Sequence, residues 1–237
     1  MNLIFDLDDT IYNLMGPFQI AHETLFAGKM KVDCNELFMR SRIVCDDILT
    51  KEKAGLIPPE ECFYQRIKIL YQEYGMDVDR ETVNEFEKIY RWEQTQISPF
   101  ETVTQILDFC CEKDIPRAVL TNGREKNQRV KAEALDLYRW FPEDRFFASG
   151  AIGYQKPEPG AFLYIQEKMN LDPKETWYIG DTYDFDVEGA HNAGWNTIWF
   201  NHRQRLCPTQ ENLADIEVRS SEELKVTVEK LYHDSRA

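Results

Sequence analysis

The sequence lacks long hydrophobic runs and is short of positive charge. No uninterrupted apolar stretch approaches the roughly 18 residues that a membrane-spanning helix needs, so we expect no membrane span. Only 28 Lys and Arg residues stand against 42 Asp and Glu residues, which gives a formal net charge of -14. An extended nucleic-acid surface requires a basic field. The composition therefore argues against a nucleic-acid polymer as partner, but it is compatible with a small anionic ligand held by a few local cations.

Cysteine and histidine are sparse and scattered. The six cysteines lack the paired spacing of a zinc site, and the four histidines are dispersed along the sequence, so a metal site built on these residue types is not expected. The first residues contain no basic segment followed by an apolar core, which a signal peptide would need. We therefore expect reduced thiols and a cytoplasmic protein.

The pattern of apolar residues divides the chain into a segment of predicted helices and a segment in which predicted strands and helices alternate. Breaks at residues 13–17 and 98–100 enclose the helical segment. Between the breaks, apolar spacing predicts helices at residues 18–28, 35–50, 59–74 and 79–96. Beyond them, strand-like runs at 116–121, 145–148, 176–179 and 196–200 alternate with helix-like runs at 103–113, 125–137, 159–169 and 185–193. A last strand at 215–218 and a helix at 221–232, with Ser221 as the expected N-cap, complete the pattern.

This alternation predicts an α/β fold with a Rossmann-like parallel sheet and helices on both faces. The opening strand, residues 3–5, has no strand to pair with before residue 116, so we expect it to join the later sheet. The helical segment is then an insertion. The predicted domains are a Rossmann-like core at residues 1–16 and 97–237 and an all-helical cap at residues 17–96.

The opening strand ends in Asp6-Leu7-Asp8-Asp9-Thr10. Alternate side chains of a strand share a face, so Asp6 and Asp8 are expected to project to one side. A buried strand seldom ends in so much negative charge unless a cation or a reacting group lies there. Taken alone, the pattern is equally compatible with a surface turn in which Asp9 and Thr10 cap the next segment.

Two further predicted loops carry groups that could receive an anion. In Thr121-Asn122-Gly123, a hydroxyl and free backbone N–H groups could cradle a phosphate oxygen, although the same residues are typical of an ordinary turn. Lys156 lies between Gln155 and Pro157 in a proline-rich loop. A rigidly mounted ammonium there could neutralise a phosphate and an adjacent carboxylate, or it could simply be solvated.

The predicted strand at 176–179 is followed by a second acidic cluster. Gly180 would allow Asp181 to approach a metal, and Asp186 follows near the start of a helix. Negative charge is favourable at a helix N-terminus in any case, and this capping role is the one we assign to Asp184. In open parallel sheets, ligands bind beyond the carboxyl ends of the strands, so all four polar motifs are expected at one edge.

Taken together, the four motifs resemble the four signature motifs of the haloacid dehalogenase-like (HAD) hydrolase superfamily. They are Phe5-Asp6-Leu7-Asp8-Asp9-Thr10, Thr121-Asn122-Gly123, Lys156-Pro157, and Gly180-Asp181 with Asp186. The helical insertion resembles the type-1 cap of that superfamily. Thr121-Asn122-Gly123 followed by Gln128, and the segment at 194–201, are similar to a branch that contains pyrimidine 5'-nucleotidases and sugar-acid phosphatases.

The resemblance implies a phosphatase acting on a small phosphate monoester, of the nucleoside monophosphate or sugar phosphate class. Asp6 would be the nucleophile that forms an aspartyl-phosphate, and Asp8 would be the general acid and base. Mg²⁺ would be held by the Asp6 and Asp181 carboxylates and the Asp8 backbone carbonyl. The remaining roles are implied as follows: phosphoryl binding by Thr121, the Asn122 N–H and Lys156; orientation of a water beside the metal by Asp186; and shaping of the acidic loop by Thr10.

Two alternatives stay open at this point. Phosphomutases of the superfamily use the same acids, and a non-catalytic regulatory or binding protein could keep the fold. The retention of Asp6, Asp8, Lys156 and Asp181 speaks against the second alternative. True dehalogenases of the superfamily lack an acid at the position of Asp8, which disfavours them. The sequence leaves the physiological substrate and the oligomeric state undetermined.

Overall fold

The computed structural model describes residues 1–236, and the chain divides into two compact units. One consists of Met1–Asn13 with Ser98–Ala237, and the other of Leu14–Ile97. The sequence predicted these boundaries after residues 16 and 96, and the compact units change after Asn13 and Ile97. The helical unit begins before Pro17 because this proline lies inside the first turn of a helix that begins at Met15, where proline has no hydrogen-bonded N–H to lose.

Residues 1–236 contain six strands and ten α-helices, together with three short 3₁₀ turns and one π-helical turn. The strands are β1 (Asn2–Phe5), β2 (Arg117–Thr121), β3 (Phe146–Ala148), β4 (Thr176–Gly180), β5 (Asn196–Phe200) and β6 (Ile216–Val218). The helices are α1 (Met15–Phe26), α2 (Cys34–Lys53), α3 (Cys62–Glu73), α4 (Arg80–Glu93), α5 (Glu101–Glu112), α6 (Glu125–Ala134), α7 (Ser149–Ile152), α8 (Pro159–Met169), α9 (Glu188–Asn192) and α10 (Ser221–Asp234).

The strands form one six-stranded sheet in the order β3-β2-β1-β4-β5-β6. Every neighbouring pair is parallel; Ile4, for example, is in register with Ala118 of β2 and with Tyr178 of β4. The prediction of a parallel α/β sheet with helices on both faces is confirmed. Because β1 lies between β2 and β4, the residues that follow these three strands meet at one edge of the sheet.

The sheet is covered by apolar packing, which explains why its strands are nearly continuous hydrophobic runs. Leu3, Ile4 and Phe5 of β1 are fully buried. Ile4 belongs to a core cluster that includes Tyr178 of β4 and Phe162 of α8. The rings of Phe162 and Tyr178 pack in a T-shaped arrangement, with their centroids 5.4 Å apart.

Two helix predictions need correction. Ser220, and not Ser221, is the N-cap of α10, because its side chain accepts the backbone N–H of Glu223 at 3.2 Å. The helix expected at residues 185–193 begins as a π-helical turn, Tyr183–Val187, and becomes α-helical only in α9. This irregular start turns the Asp186 side chain inward, where it is almost fully buried.

The second unit is made of helices α1–α4 and contains an aromatic interior. Phe18 and Phe86 are buried, with ring centroids 5.6 Å apart. His22 is hydrogen-bonded to the Tyr71 hydroxyl at 2.8 Å. Asp33 and Asp79 cap the N-termini of α2 and α4 by accepting backbone N–H groups. Among residues 1–236, no helix combines the length and the apolarity needed to cross a bilayer.

We expect Ile4→Ala to lower the free energy of unfolding by about 2–5 kcal/mol, because it leaves a cavity at the centre of the sheet. Val226→Ala on α10 is the matched control: this side chain is 65% exposed, and its truncation should change stability by no more than about 0.5 kcal/mol. Urea denaturation of both variants measures the difference. Similar losses for the two would contradict the central position of β1.

Candidate active site

The polar residues singled out in the sequence lie at or near the carboxyl edge of the sheet. Asp6 follows β1, Thr121 ends β2, and Asp181 follows β4, while Lys156 lies in the loop between α7 and α8. The side chains of all four are buried. Burial of so many charged groups is costly unless they are paired, and the pairing therefore determines what this edge can do.

Three buried carboxylates converge here. Oxygen atoms of Asp6, Asp181 and Asp186 lie within 4.8 Å of one another. Burial raises the pKa of Asp6 well above its ordinary value, and the negative charges of Asp186 and Asp181 raise it further, against the opposing effect of Lys156. The arrangement therefore concentrates negative charge that a cation would stabilise. Asp186 was expected to orient a water beside the metal; it supplies one of the three carboxylates of the cluster.

Lys156 is the cation that the protein supplies to the Asp6 and Asp186 carboxylates of this cluster. Its Nζ donates to Asp6 Oδ1 and Asp186 Oδ1, both at 2.6 Å, and to the Tyr178 hydroxyl at 2.8 Å. Burial alone would lower the pKa of Lys156, but the Asp186 and Asp6 carboxylates outweigh burial and raise it. The ammonium is therefore held charged, with all three of its N–H groups directed to oxygen atoms.

The loop that carries Lys156 is fixed from β2. The Asn122 side chain donates from Nδ2 to the Lys156 carbonyl and accepts the Lys156 N–H at Oδ1, both at 2.9 Å. The Lys156–Pro157 peptide is cis. The Asn122 side chain, and not only the backbone N–H singled out in the sequence, therefore has a role: it clamps the lysine loop. Tyr178 was also missed: it lies on β4, and its hydroxyl links Lys156 to the Leu120 carbonyl.

Gly180 makes room for Asp186. A Cβ atom at Gly180 would overlap the Asp186 carboxylate, so glycine is required at the end of β4 for that side chain to reach the cluster. The Thr182 N–H donates to Asp186 Oδ2 at 2.9 Å and fixes the carboxylate from the other side. From the sequence, Gly180 was expected to let Asp181 approach a metal. In the structure, the side chain that a Cβ at Gly180 would overlap is that of Asp186.

The Asp8 carboxylate has a separate set of partners. Lys131 Nζ lies 2.7 Å from each of its oxygens, and the Tyr12 hydroxyl donates to Oδ1 at 2.5 Å. Gln128 Nε2 is 3.5 Å from Oδ2 and donates to the Asn122 carbonyl at 2.7 Å. Sequence reasoning missed Lys131. The available signal was its position three residues after Gln128, which places the two side chains on one face of α6.

Asp9 and Asp181 contact cations from the loop that follows β5. The Asp9 side chain is buried, and its backbone adopts the left-handed conformation, with φ of 63°. Arg203 forks onto both Asp9 oxygens, and its Nη2 lies 2.6 Å from Oδ1. Arg205 Nη2 is 2.9 Å from Asp181 Oδ2. Neither arginine was predicted: Asp9 lies almost 200 residues before Arg203, and nothing in the sequence marks Arg205 as a partner of Asp181, 24 residues earlier.

The ligand atoms of the cluster are of the type that binds a hard divalent cation. Its three carboxylates offer only oxygen, the donor type that Mg²⁺ prefers. Asp6, Asp181 and Asp186 therefore fit a Mg²⁺ site. Thr10, the residue expected to shape the acidic loop, lies beside this site, with its Oγ1 3.4 Å from Asp6 Oδ2.

Comparison with known proteins gives a consistent family match. Residues 1–194 match the family described as haloacid dehalogenase-like hydrolase. HAD-hydrolase YfnB from Bacillus subtilis is 24% identical, over 94% of this chain and 92% of that protein. N-acylneuraminate-9-phosphatase from Mus musculus is 24% identical over 97% and 94% of the two chains. Pyrimidine 5'-nucleotidase PynA from Streptococcus pneumoniae is 25% identical over 84% and 83%.

The fold agrees with a solved structure of one of these relatives. The crystal structure of YfnB bound to magnesium has a TM-score of 0.72 against this chain, with 96% of this chain and 97% of that chain covered. The sequence identity over this match is 23%. The two proteins therefore share the same fold.

We expect Lys156→Met to destabilise the protein by about 3–5 kcal/mol, because it leaves buried carboxylates without their cation. Lys225→Met is the matched control, since Lys225 pairs with Glu229 at the surface with about a third of each side chain exposed; its loss should cost no more than about 1 kcal/mol. Urea denaturation without added metal measures both. Asp186→Asn in the Lys156→Met background should recover part of the loss, and equal losses for the two single variants would contradict the pairing.

Proposed function

The chain belongs to the haloacid dehalogenase-like hydrolases, and we propose that it is a Mg²⁺-dependent phosphatase that hydrolyses a small phosphate monoester through an aspartyl-phosphate. The observation that carries the proposal is the pairing of Asp6 with Lys156 inside the carboxylate cluster, next to a second acid, Asp8, with different partners. These groups supply a nucleophile, a fixed cation and a separate proton carrier.

In the first displacement, an Asp6 carboxylate oxygen attacks the phosphorus atom and forms the acyl-phosphate bond. This step begins with Asp8 as the neutral acid: the bond between phosphorus and the ester oxygen breaks, that oxygen takes the Asp8 proton, and the Asp8 carboxylate remains. In the second displacement, a water molecule attacks the same phosphorus and gives its proton to Asp8. The Asp6 carboxylate leaves, inorganic phosphate is released, and both side chains return to their starting states. Such acid–base assistance is worth about 10²–10⁴ in rate.

The remaining residues bind and position the phosphoryl group. Lys156 offers positive charge, while the Thr121 hydroxyl and the Asn122 backbone N–H offer hydrogen bonds to its oxygens. The Asp6 and Asp181 carboxylates, with the Asp8 backbone carbonyl, would hold Mg²⁺, and the Asp186 carboxylate lies within the same group of oxygens. The ion would supply positive charge beside the carboxylates and the phosphate, which otherwise repel one another.

The proposed substrates are nucleoside monophosphates and sugar phosphates. Two relatives support this class by name, one an N-acylneuraminate-9-phosphatase and the other a pyrimidine 5'-nucleotidase. The excess of acidic residues over basic ones is compatible with a small anionic substrate that is received by local cations such as Lys156.

The decisive assay is release of inorganic phosphate from a panel of nucleoside monophosphates and sugar phosphates, with and without Mg²⁺. We expect release that requires Mg²⁺ and is abolished by EDTA. Asp6→Asn should remove the activity and preserve the fold, because an amide cannot form the acyl-phosphate. Turnover retained in Asp6→Asn would exclude Asp6 as nucleophile, and isomerised product without phosphate release would identify a mutase.

We expect Asp8→Asn to be more damaging with alkyl phosphates than with p-nitrophenyl phosphate. An alkoxide leaving group needs a proton in the transition state, whereas p-nitrophenolate departs without one. The loss of kcat on the alkyl esters should be about 10²-fold or more. Steady-state kinetics on both substrate types measure the difference; equal losses would argue against Asp8 as the acid.

A further inference from the structure

The side chain of Asp8 is held from two directions. Lys131 and Gln128 reach it from α6, and Tyr12 reaches it from the loop that follows β1. Lys131 is buried and places its ammonium symmetrically on the two carboxylate oxygens, 2.7 Å from each. Charge-assisted hydrogen bonds of this length are among the strongest in proteins. They fix the direction in which the short Asp8 side chain points.

Asp6 and Asp8 are two positions apart in the chain, and each binds a different lysine. Asp6 is bonded to Lys156 and shares the cluster with Asp181 and Asp186, whereas the Asp8 carboxylate is bonded to Lys131. A carboxylate drawn into the cluster would become a further cation ligand. Lys131 instead holds the Asp8 carboxylate against α6, and Asp8 is not one of the three carboxylates of the cluster.

The fold alone does not account for this lysine. A buried ion pair adds little net stability relative to well-packed apolar residues of similar volume, because desolvation offsets the Coulombic attraction. Within residues 1–236, the hydrogen bonds made by the Lys131 ammonium go to Asp8 alone. Its placement therefore serves the orientation of one carboxylate.

We propose that Lys131 is a positioning residue that directs the Asp8 carboxyl toward the leaving-group oxygen of the substrate. The inference rests on the proposed phosphatase function and extends it to a residue outside the four motifs. Lys131 acts through Asp8, and the proposal includes no contact between Lys131 and the phosphoryl group. Loss of Lys131 should therefore reproduce the pattern of losing Asp8.

The test compares Lys131→Met with Arg129→Met on the best alkyl ester of the panel and on p-nitrophenyl phosphate. Arg129 is the matched control, because it lies on the same helix and pairs with Glu125 at 2.8 Å with more than a third of its side chain exposed. We expect Lys131→Met to lower kcat on the alkyl ester at least about tenfold more than on p-nitrophenyl phosphate, with KM little changed. Arg129→Met should leave both substrates unaffected, and Lys131→Arg should recover part of the loss.

The double variant Asp8→Asn/Lys131→Met provides the sharper criterion. If Lys131 acts only through Asp8, the double variant should be no slower than Asp8→Asn alone, since coupled residues are non-additive. Equal losses on the two substrates, or additive losses in the double variant, would overturn the positioning role while leaving phosphatase activity in place. A wild-type protein that releases no phosphate from any ester would instead refute the proposed function, and this inference with it.

Discussion

The structure depends on the neutralisation of buried negative charge at the carboxyl edge of a parallel sheet. Asp6, Asp181 and Asp186 bring their oxygens within 4.8 Å of one another in an environment that disfavours their charge. Lys156 makes the cluster tenable by bonding two of these carboxylates at 2.6 Å. A cluster so arranged could hold a metal ion, and this property connects the fold to the proposed metal binding and phosphoryl chemistry.

The parallel sheet is what allows distant segments to meet. β1 occupies the centre, between β2 and β4, although the helical unit Leu14–Ile97 separates it in sequence from both. Parallel pairing places the residues after these strands at one edge. Close packing then adjusts individual side chains: Gly180 leaves space for Asp186, and the Asn122 amide clamps the loop that carries Lys156.

The acidic motif after β1 is divided among three environments. Asp6 faces Lys156, the Asp8 carboxylate is bonded to Lys131, and Asp9 is forked by Arg203. These cations come from three different parts of the core: the loop before α8, helix α6 and the loop after β5. Each carboxylate thus has a separate electrostatic setting, although Asp6, Asp8 and Asp9 span only four positions of the chain. That separation is the physical basis for the different roles proposed for Asp6 and Asp8.

The sequence by itself determined the fold class, the alternation of strands and helices, and the candidates Asp6, Asp8, Lys156 and Asp181, because hydrophobic periodicity and strand-end polarity are local properties. Helix ends were less accurate: Ser220 caps α10, and a π-helical turn precedes α9. Only the tertiary structure decided the partners of each charge. Tyr178, Arg203 and Arg205 carry no local signal that distinguishes them from core or surface residues, and Lys131 has only its spacing from Gln128 on α6. Their roles arise from tertiary packing: the partners of Lys131 and Arg203 are more than a hundred positions away in the chain, while Lys156 is 22 positions from Tyr178 and Asp181 is 24 positions from Arg205.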